Sequence, residues 1–164
     1  MLDGDTKADD GTPFIVAGMP MYNEEETIGT VVTLALKYAD AVICVDDGSS
    51  DSSARIAEAC GATVIRHRVN RGYGGALKSL FVRAIEMKAT ALVVLDSDGQ
   101  HKVEDIPMLL KPILEKQADF VIGSRFIDGG GGTDMLAYRR LGIKVITAAS
   151  NLSRDISIKD TQSG

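Results

Sequence analysis

Short apolar runs rich in β-branched residues recur along the chain at Phe14–Gly18, Ala41–Val45, Thr63–Ile65, Ala91–Leu95 and Phe120–Ile122. Each is too short for a helix and is bounded by polar residues or glycine, so each predicts a strand. The segments between them carry helical periodicity instead. Glu24–Tyr38 opens with acids that suit a helix N-terminus, and Asp51 is placed to cap Ser52–Ala59 before Gly61 stops it. Tyr73–Met87 and Val103–Lys116 complete the alternation, with Pro112 expected to kink or split the latter. Gly129–Gly132 reads as a flexible loop. Beyond it, Tyr138–Arg154 predicts a helix with Leu141, Val145, Ala148, Ala149 and Leu152 on one stripe.

Nearly continuous apolar strands separated by amphipathic helices imply a mainly parallel sheet covered on both faces, a three-layer α/β/α sandwich. A length of 164 residues fits one domain with one buried core. Residues 1–12, with Asp3, Asp5, Asp9 and Asp10, read as a disordered acidic tail, leaving 13–164 as the domain. No apolar run reaches the 18 or so residues of a membrane span and no signal-peptide pattern opens the chain, so a soluble, cytoplasmic chain is expected. Cys44 lies in an apolar run and Cys60 near a helix end, without CxxC spacing, which predicts reduced thiols.

The formal net charge of −5 argues against a nucleic-acid binder, which needs a basic excess to replace phosphate counterions. The cations are nevertheless concentrated. Arg66, Arg68, Arg71, Lys78, Arg83 and Lys88 face a single acid, Glu86, within one segment. Such local charge suits a small phosphorylated ligand.

In a parallel α/β sheet, ligands bind beyond the carboxyl ends of the strands. The residues there are polar in four places: Pro20, Tyr22, Asn23 and Glu24; Asp46 and Asp47; Asp96, Asp98 and Gln100; Ser124 and Arg125. Helix capping explains one such cluster, whereas several on one edge point to a site. Asp96 and Asp98, spaced to turn outward past a strand end, offer oxygen ligands to a hard divalent ion that would bridge a diphosphate and neutralise it as a leaving group. Gly72, Gly74 and Gly75 allow a tight turn before a helix N-terminus, either as turn formers alone or as an anion contact as well. His101 is either a metal ligand or an imidazole hydrogen-bonded to backbone.

Six motifs in order, PMYNEEETI from Pro20, VDDGSSDSS from Val45, NRGYGGALKS from Asn70, LDSDGQHKVEDIP from Leu95, IGSRF from Ile122 and KDTQSG from Lys159, carry a resemblance to a known family. The chain resembles the family 2 glycosyltransferases of GT-A fold, particularly the polyprenol-phosphate (dolichol-phosphate) mannose and glucose synthases. The resemblance implies an inverting, metal-dependent transfer of a hexose from a UDP- or GDP-sugar to a polyprenyl phosphate at the cytoplasmic face of a membrane. It assigns Pro20, Tyr22, Glu24 and Asp47 to the base and ribose pocket, with Asp96 near the ribose and Lys78 facing either the donor or solvent. Asp98 and Gln100, with Asp96, would hold Mg²⁺ or Mn²⁺. Arg125 and Arg139 would hold the acceptor phosphate, and Asp160 corresponds to the catalytic base. Asp46 is expected to turn inward onto backbone donors.

The family's chain continues past DTQSG, whereas this sequence stops at Gly164, so a C-terminally truncated domain is expected, with activity of the piece alone left open. Other readings are a polysaccharide-extending member of the family, a nucleotidyltransferase, and a non-catalytic nucleotide-sugar-binding module. The acidic PMYNEEE stretch, where a nucleotidyltransferase carries a basic glycine-rich loop, argues against the second.

Overall fold

The computed structural model describes residues 11–123 and the strand at 144–146. In chain order the regular elements are β1 (Ile15–Met21), α1 (Ile28–Ala35), β2 (Ala41–Asp46), α2 (Ser53–Ala59), β3 (Thr63–Arg66), α3 (Gly72–Glu86) and β4 (Ala91–Val94). A short 3₁₀ turn at Val103–Asp105 leads into α4 (Ile106–Leu114), followed by β5 (Phe120–Ile122) and β6 (Lys144–Ile146). The sheet order is β3-β2-β1-β4-β6-β5. β1 pairs in parallel with β2 and β4, and β2 with β3, while β6 runs antiparallel between β4 and β5.

Alternation along the central strands divides the core into two layers, because successive side chains point to opposite faces. Ala17, Met19, Val42, Cys44, Ala91 and Val93 face α1, α2 and α4. Val16, Ile43, Val45, Leu92 and Val94 face α3 through Ala76, Leu80 and Ala84. At Gly18 a Cβ would lie 2.5 Å from both methyls of Leu80, so a missing side chain on β1 lets α3 sit down on the sheet. This is the expected α/β/α sandwich.

The helix ends show where local signals act. Gly61 adopts φ +96 just past α2, as its stop position suggested. α3 and α4 end without glycine, through Lys88 and Lys116 at φ 57. Pro112 does not split α4, which continues through it to Leu114. Cys44 is a buried free thiol whose pKa burial and the neighbouring Cys60 push up to about 12, and Cys60 is half-buried and also free.

One expectation is corrected. Lys144–Ile146 is a strand, although it falls inside the helix predicted over Tyr138–Arg154. β4 and β5 each leave a ladder of backbone groups open toward the other, and a segment with adjacent β-branched Val145 and Ile146 closes both ladders at once.

Candidate functional site

Because β1 to β4 are parallel, their carboxyl ends share one edge of the sheet, and the chain leaving them encloses a cleft of about 260 Å³. Its walls are Pro20 and Met21 at the end of β1 with Tyr22 and Glu24 after it, Asp47 after β2, Asn70, Gly72, Tyr73 and Ala76 around the start of α3, and Asp96, Ser97 and Asp98 after β4.

Loop-to-loop hydrogen bonds set this edge. Asn23, at φ 55, accepts the Ser50 N–H on Oδ1 and donates its own N–H to Ser49 Oγ, both at 2.9 Å. Glu25 and Asp51 exchange bonds across the same gap: Glu25 N–H donates to Asp51 Oδ2, and Ser52 N–H to Glu25 Oε2. The Thr27 hydroxyl donates to the Ser97 carbonyl at 2.8 Å, and Ser97 Oγ donates to the Pro20 carbonyl at 3.0 Å. The loop after β1 is therefore tied to the loops after both neighbouring strands.

The two acids at the end of β2 turn opposite ways. Asp46 is fully buried and accepts from Ser49 N–H and Arg66 Nε, as expected for an inward carboxylate. Asp47 is 5% exposed and faces the cleft. Its Oδ1 lies 2.6 Å from His67 Nδ1 and accepts the Arg71 N–H at 2.9 Å. Burial alone would raise this carboxyl, but the bonds from His67, Arg71 and Gly72 outweigh it and hold the pKa below its ordinary value.

After β4, Asp98 Oδ1 accepts the Gln100 N–H at 2.9 Å in a turn that Gly99 makes at φ +74. His101 Nδ1 accepts the Asp96 N–H at 2.9 Å, and its Nε2 stands 3.6 Å from Asp96 Oδ2. With Nδ1 accepting, a neutral ring carries its proton on Nε2, so neither nitrogen offers a lone pair to a metal. The backbone-bonded reading of His101 is the one the geometry supports. Tyr73 reaches the same corner, its phenol pKa raised by burial and by the charge of Asp96.

Among the predicted site residues, Pro20, Tyr22, Glu24, Asp47, Asp96 and Asp98 converge on this one cleft. Gln100 is exposed beside it and does not line it. Lys78, expected to face either the donor or solvent, is exposed and does not line the cleft; it borders a separate groove between α3 and β3 with Arg71, Ser79 and Arg83. The helical turn after Tyr73 carries it off the strand-end edge. Arg125, Arg139 and Asp160 lie outside the described residues. Sequence reading missed Tyr73, Asn70 and His67. Tyr73 and Asn70 stood inside a motif whose glycines drew the attention, and His67 is the first residue past a strand on the polar edge.

Oxygen donors dominate the cleft, with no thiolate or available imidazole, and this set suits Mg²⁺ or Mn²⁺ rather than a softer metal. Among the described residues no group of three or more His, Cys, Asp or Glu is clustered for a metal. Asp96 and Asp98 are the cleft residues that would hold such an ion.

The model of the Glycosyl transferase family 2 matches residues 17–161. The chain belongs to that family. It is 30% identical to the UDP-N-acetylglucosamine–dolichyl-phosphate N-acetylglucosaminyltransferase of Methanococcus voltae, over 89% of this chain and 65% of that protein. It is 36% identical to the undecaprenyl-phosphate mannosyltransferase of Micrococcus luteus, over 68% of this chain and 48% of that protein. Glucosyl-3-phosphoglycerate synthase of Mycobacterium tuberculosis, solved with Mn²⁺, UDP and glucosyl-3-phosphoglycerate, superposes with a TM-score of 0.54 at 27% identity, over 66% of this chain and 42% of that one. This family 2 chain thus spans roughly half to two thirds of the length of such relatives. Among its described residues no helix is long and apolar enough to cross a membrane.

Proposed function

We propose that this glycosyltransferase chain forms the donor site of an enzyme that moves a hexose from a UDP- or GDP-sugar to a polyprenyl phosphate, with inversion. The observation that carries the reading is the meeting of Asp47 with Asp96 and Asp98 across one cleft. An acceptor for a nucleobase N–H and a pair of ligands for a hard cation stand at opposite walls, as a nucleoside diphosphate requires. The half-exposed rings of Tyr22 and Tyr73 offer stacking surface. The N-terminus of α3 adds the positive end of a helix dipole beside Gly72.

When bound, a divalent ion would supply charge neutralisation of the departing diphosphate. The acceptor oxygen would attack the anomeric carbon as the bond to the diphosphate breaks on the opposite face. A phosphate monoester has its second pKa near ~6 and needs little deprotonation at neutral pH, so Asp160 would orient the acceptor more than ionise it. Arg125 and Arg139 are assigned to the acceptor phosphate, which guanidinium forks suit. Relatives whose names include dolichyl-phosphate and undecaprenyl-phosphate acceptors support the lipid assignment.

Calorimetric titration of UDP and GDP, each with Mn²⁺ and with EDTA, tests the donor site. One nucleotide is expected to bind at least about tenfold more tightly with Mn²⁺. Equal binding in both buffers would refute the reading. For the acceptor, a full-length protein that glycosylates a sugar hydroxyl and ignores polyprenyl phosphate would replace the lipid assignment with polymer extension.

A further inference from the structure

His67 lies buried between Asp47 and α3, where none of the roles above uses it. Its Nδ1 is 2.6 Å from Asp47 Oδ1 and its Nε2 is 2.8 Å from Ser79 Oγ. A carboxylate at Nδ1 keeps the ring proton there, so in the neutral ring Nε2 accepts from the Ser79 hydroxyl. Asp47 Oδ1 also accepts the Arg71 N–H, so a ligand donor would meet Asp47 at its other oxygen. Turning the carboxylate would break both bonds at once. Gly48, at φ +85, lets the backbone at Val69 and Asn70 pass where a Cβ would meet it at 3.2–3.3 Å, which brings the Arg71 N–H within reach.

We propose that His67 is a positioning residue for nucleobase recognition: braced by Ser79, it fixes the orientation of Asp47 and so sets the preference of the cleft for a nucleotide over a bare diphosphate. This rests on the reading of Asp47 as the base acceptor. The chain's other histidine makes the reverse arrangement, since His101 Nδ1 accepts a backbone N–H. As neutral rings the two are therefore opposite tautomers.

The test titrates UDP, GDP and inorganic pyrophosphate, all with Mn²⁺, into the wild type and into Asp47→Ala, His67→Gln, His67→Asn and Ser79→Ala. An asparagine amide can stand in for Nδ1–H, whereas a glutamine amide reaches only toward the Nε2 position. His67→Gln is expected to weaken the nucleotide roughly tenfold and pyrophosphate by less than about twofold, with His67→Asn recovering most of the loss. Ser79→Ala should cost the nucleotide about two- to threefold. Equal losses for nucleotide and pyrophosphate would overturn the proposal in favour of a purely structural histidine. An unchanged nucleotide affinity in His67→Gln, while Asp47→Ala remains selective, would overturn this proposal alone. If Asp47→Ala is not selective, or neither nucleotide binds the wild type, the base-acceptor reading falls and this one with it. Should the His67 variants fail to fold, ¹⁵N spectra of the wild-type imidazoles decide: one Nδ1–H and one Nε2–H ring supports the proposal, and an Nε2–H tautomer at His67 overturns it.

Discussion

Asp46–Asp47 and Asp96–Asp98 end the two strands that flank β1, yet the chain holds them by different means. At the β2 end, the bonds reach across the fold: Asp46 to Arg66, and Asp47 to His67 and Arg71. At the β4 end, the Asp98 bond closes a turn within its own loop, and His101, which supports Asp96, lies only five residues on. A carboxylate fixed from several sides can offer one directed acceptor to a neutral N–H. One held by a local turn can adjust to the oxygen shell of a cation. In the proposed function the same residue type would serve recognition at one strand end and ion holding at the other, by virtue of what surrounds it.

The largest effect expected from breaking this contrast is at Asp98. Asp98→Asn keeps the turn, because the amide oxygen still accepts the Gln100 N–H, but removes the charge. Transfer by the full-length enzyme should fall about a hundredfold or more, since an ion's stabilisation of a leaving group is worth several kcal/mol. A rate within a few-fold of wild type across a Mn²⁺ titration would place the ion elsewhere.

Asp46 should respond in stability instead. Asp46→Ala removes a buried acceptor of the Ser49 N–H and the Arg66 guanidinium, at a cost of about 2 kcal/mol in urea unfolding. Its effect on divalent-ion dependence should be negligible. A variant as stable as the wild type would show that the inward carboxylate is replaceable by water.

The smallest effect sharpens the contrast through pH. Hydrogen bonds hold Asp47 below the 3.8 of an unperturbed aspartate despite its burial. Its ionised form therefore stabilises the fold above pH 3.8, and this contribution is lost as pH falls through the lower, folded-state value. Urea midpoints followed through that range should drop more steeply for wild type than for Asp47→Asn. Parallel profiles would mean that the bonds to His67 and Arg71 do not favour the charged form.

The positions of β1 to β5, the polar carboxyl edge and six cleft residues were legible in the sequence because each depends on local pattern: apolar runs, and motifs placed at or just past a strand end. Three features were decided only in three dimensions. Lys144–Ile146 became a strand because two open backbone ladders awaited it, a demand that no local periodicity reports. Lys78, left open between donor and solvent, lies away from the cleft because its place on α3 turns it toward β3. His67 is bonded at both ring nitrogens because folding brings Asp47 and Ser79, 20 and 12 residues away in the chain, to opposite sides of one buried ring. Hydrogen bonds between residues distant in sequence leave no periodic trace in it, so the chain specified the cleft's ingredients while packing determined how each carboxylate is held.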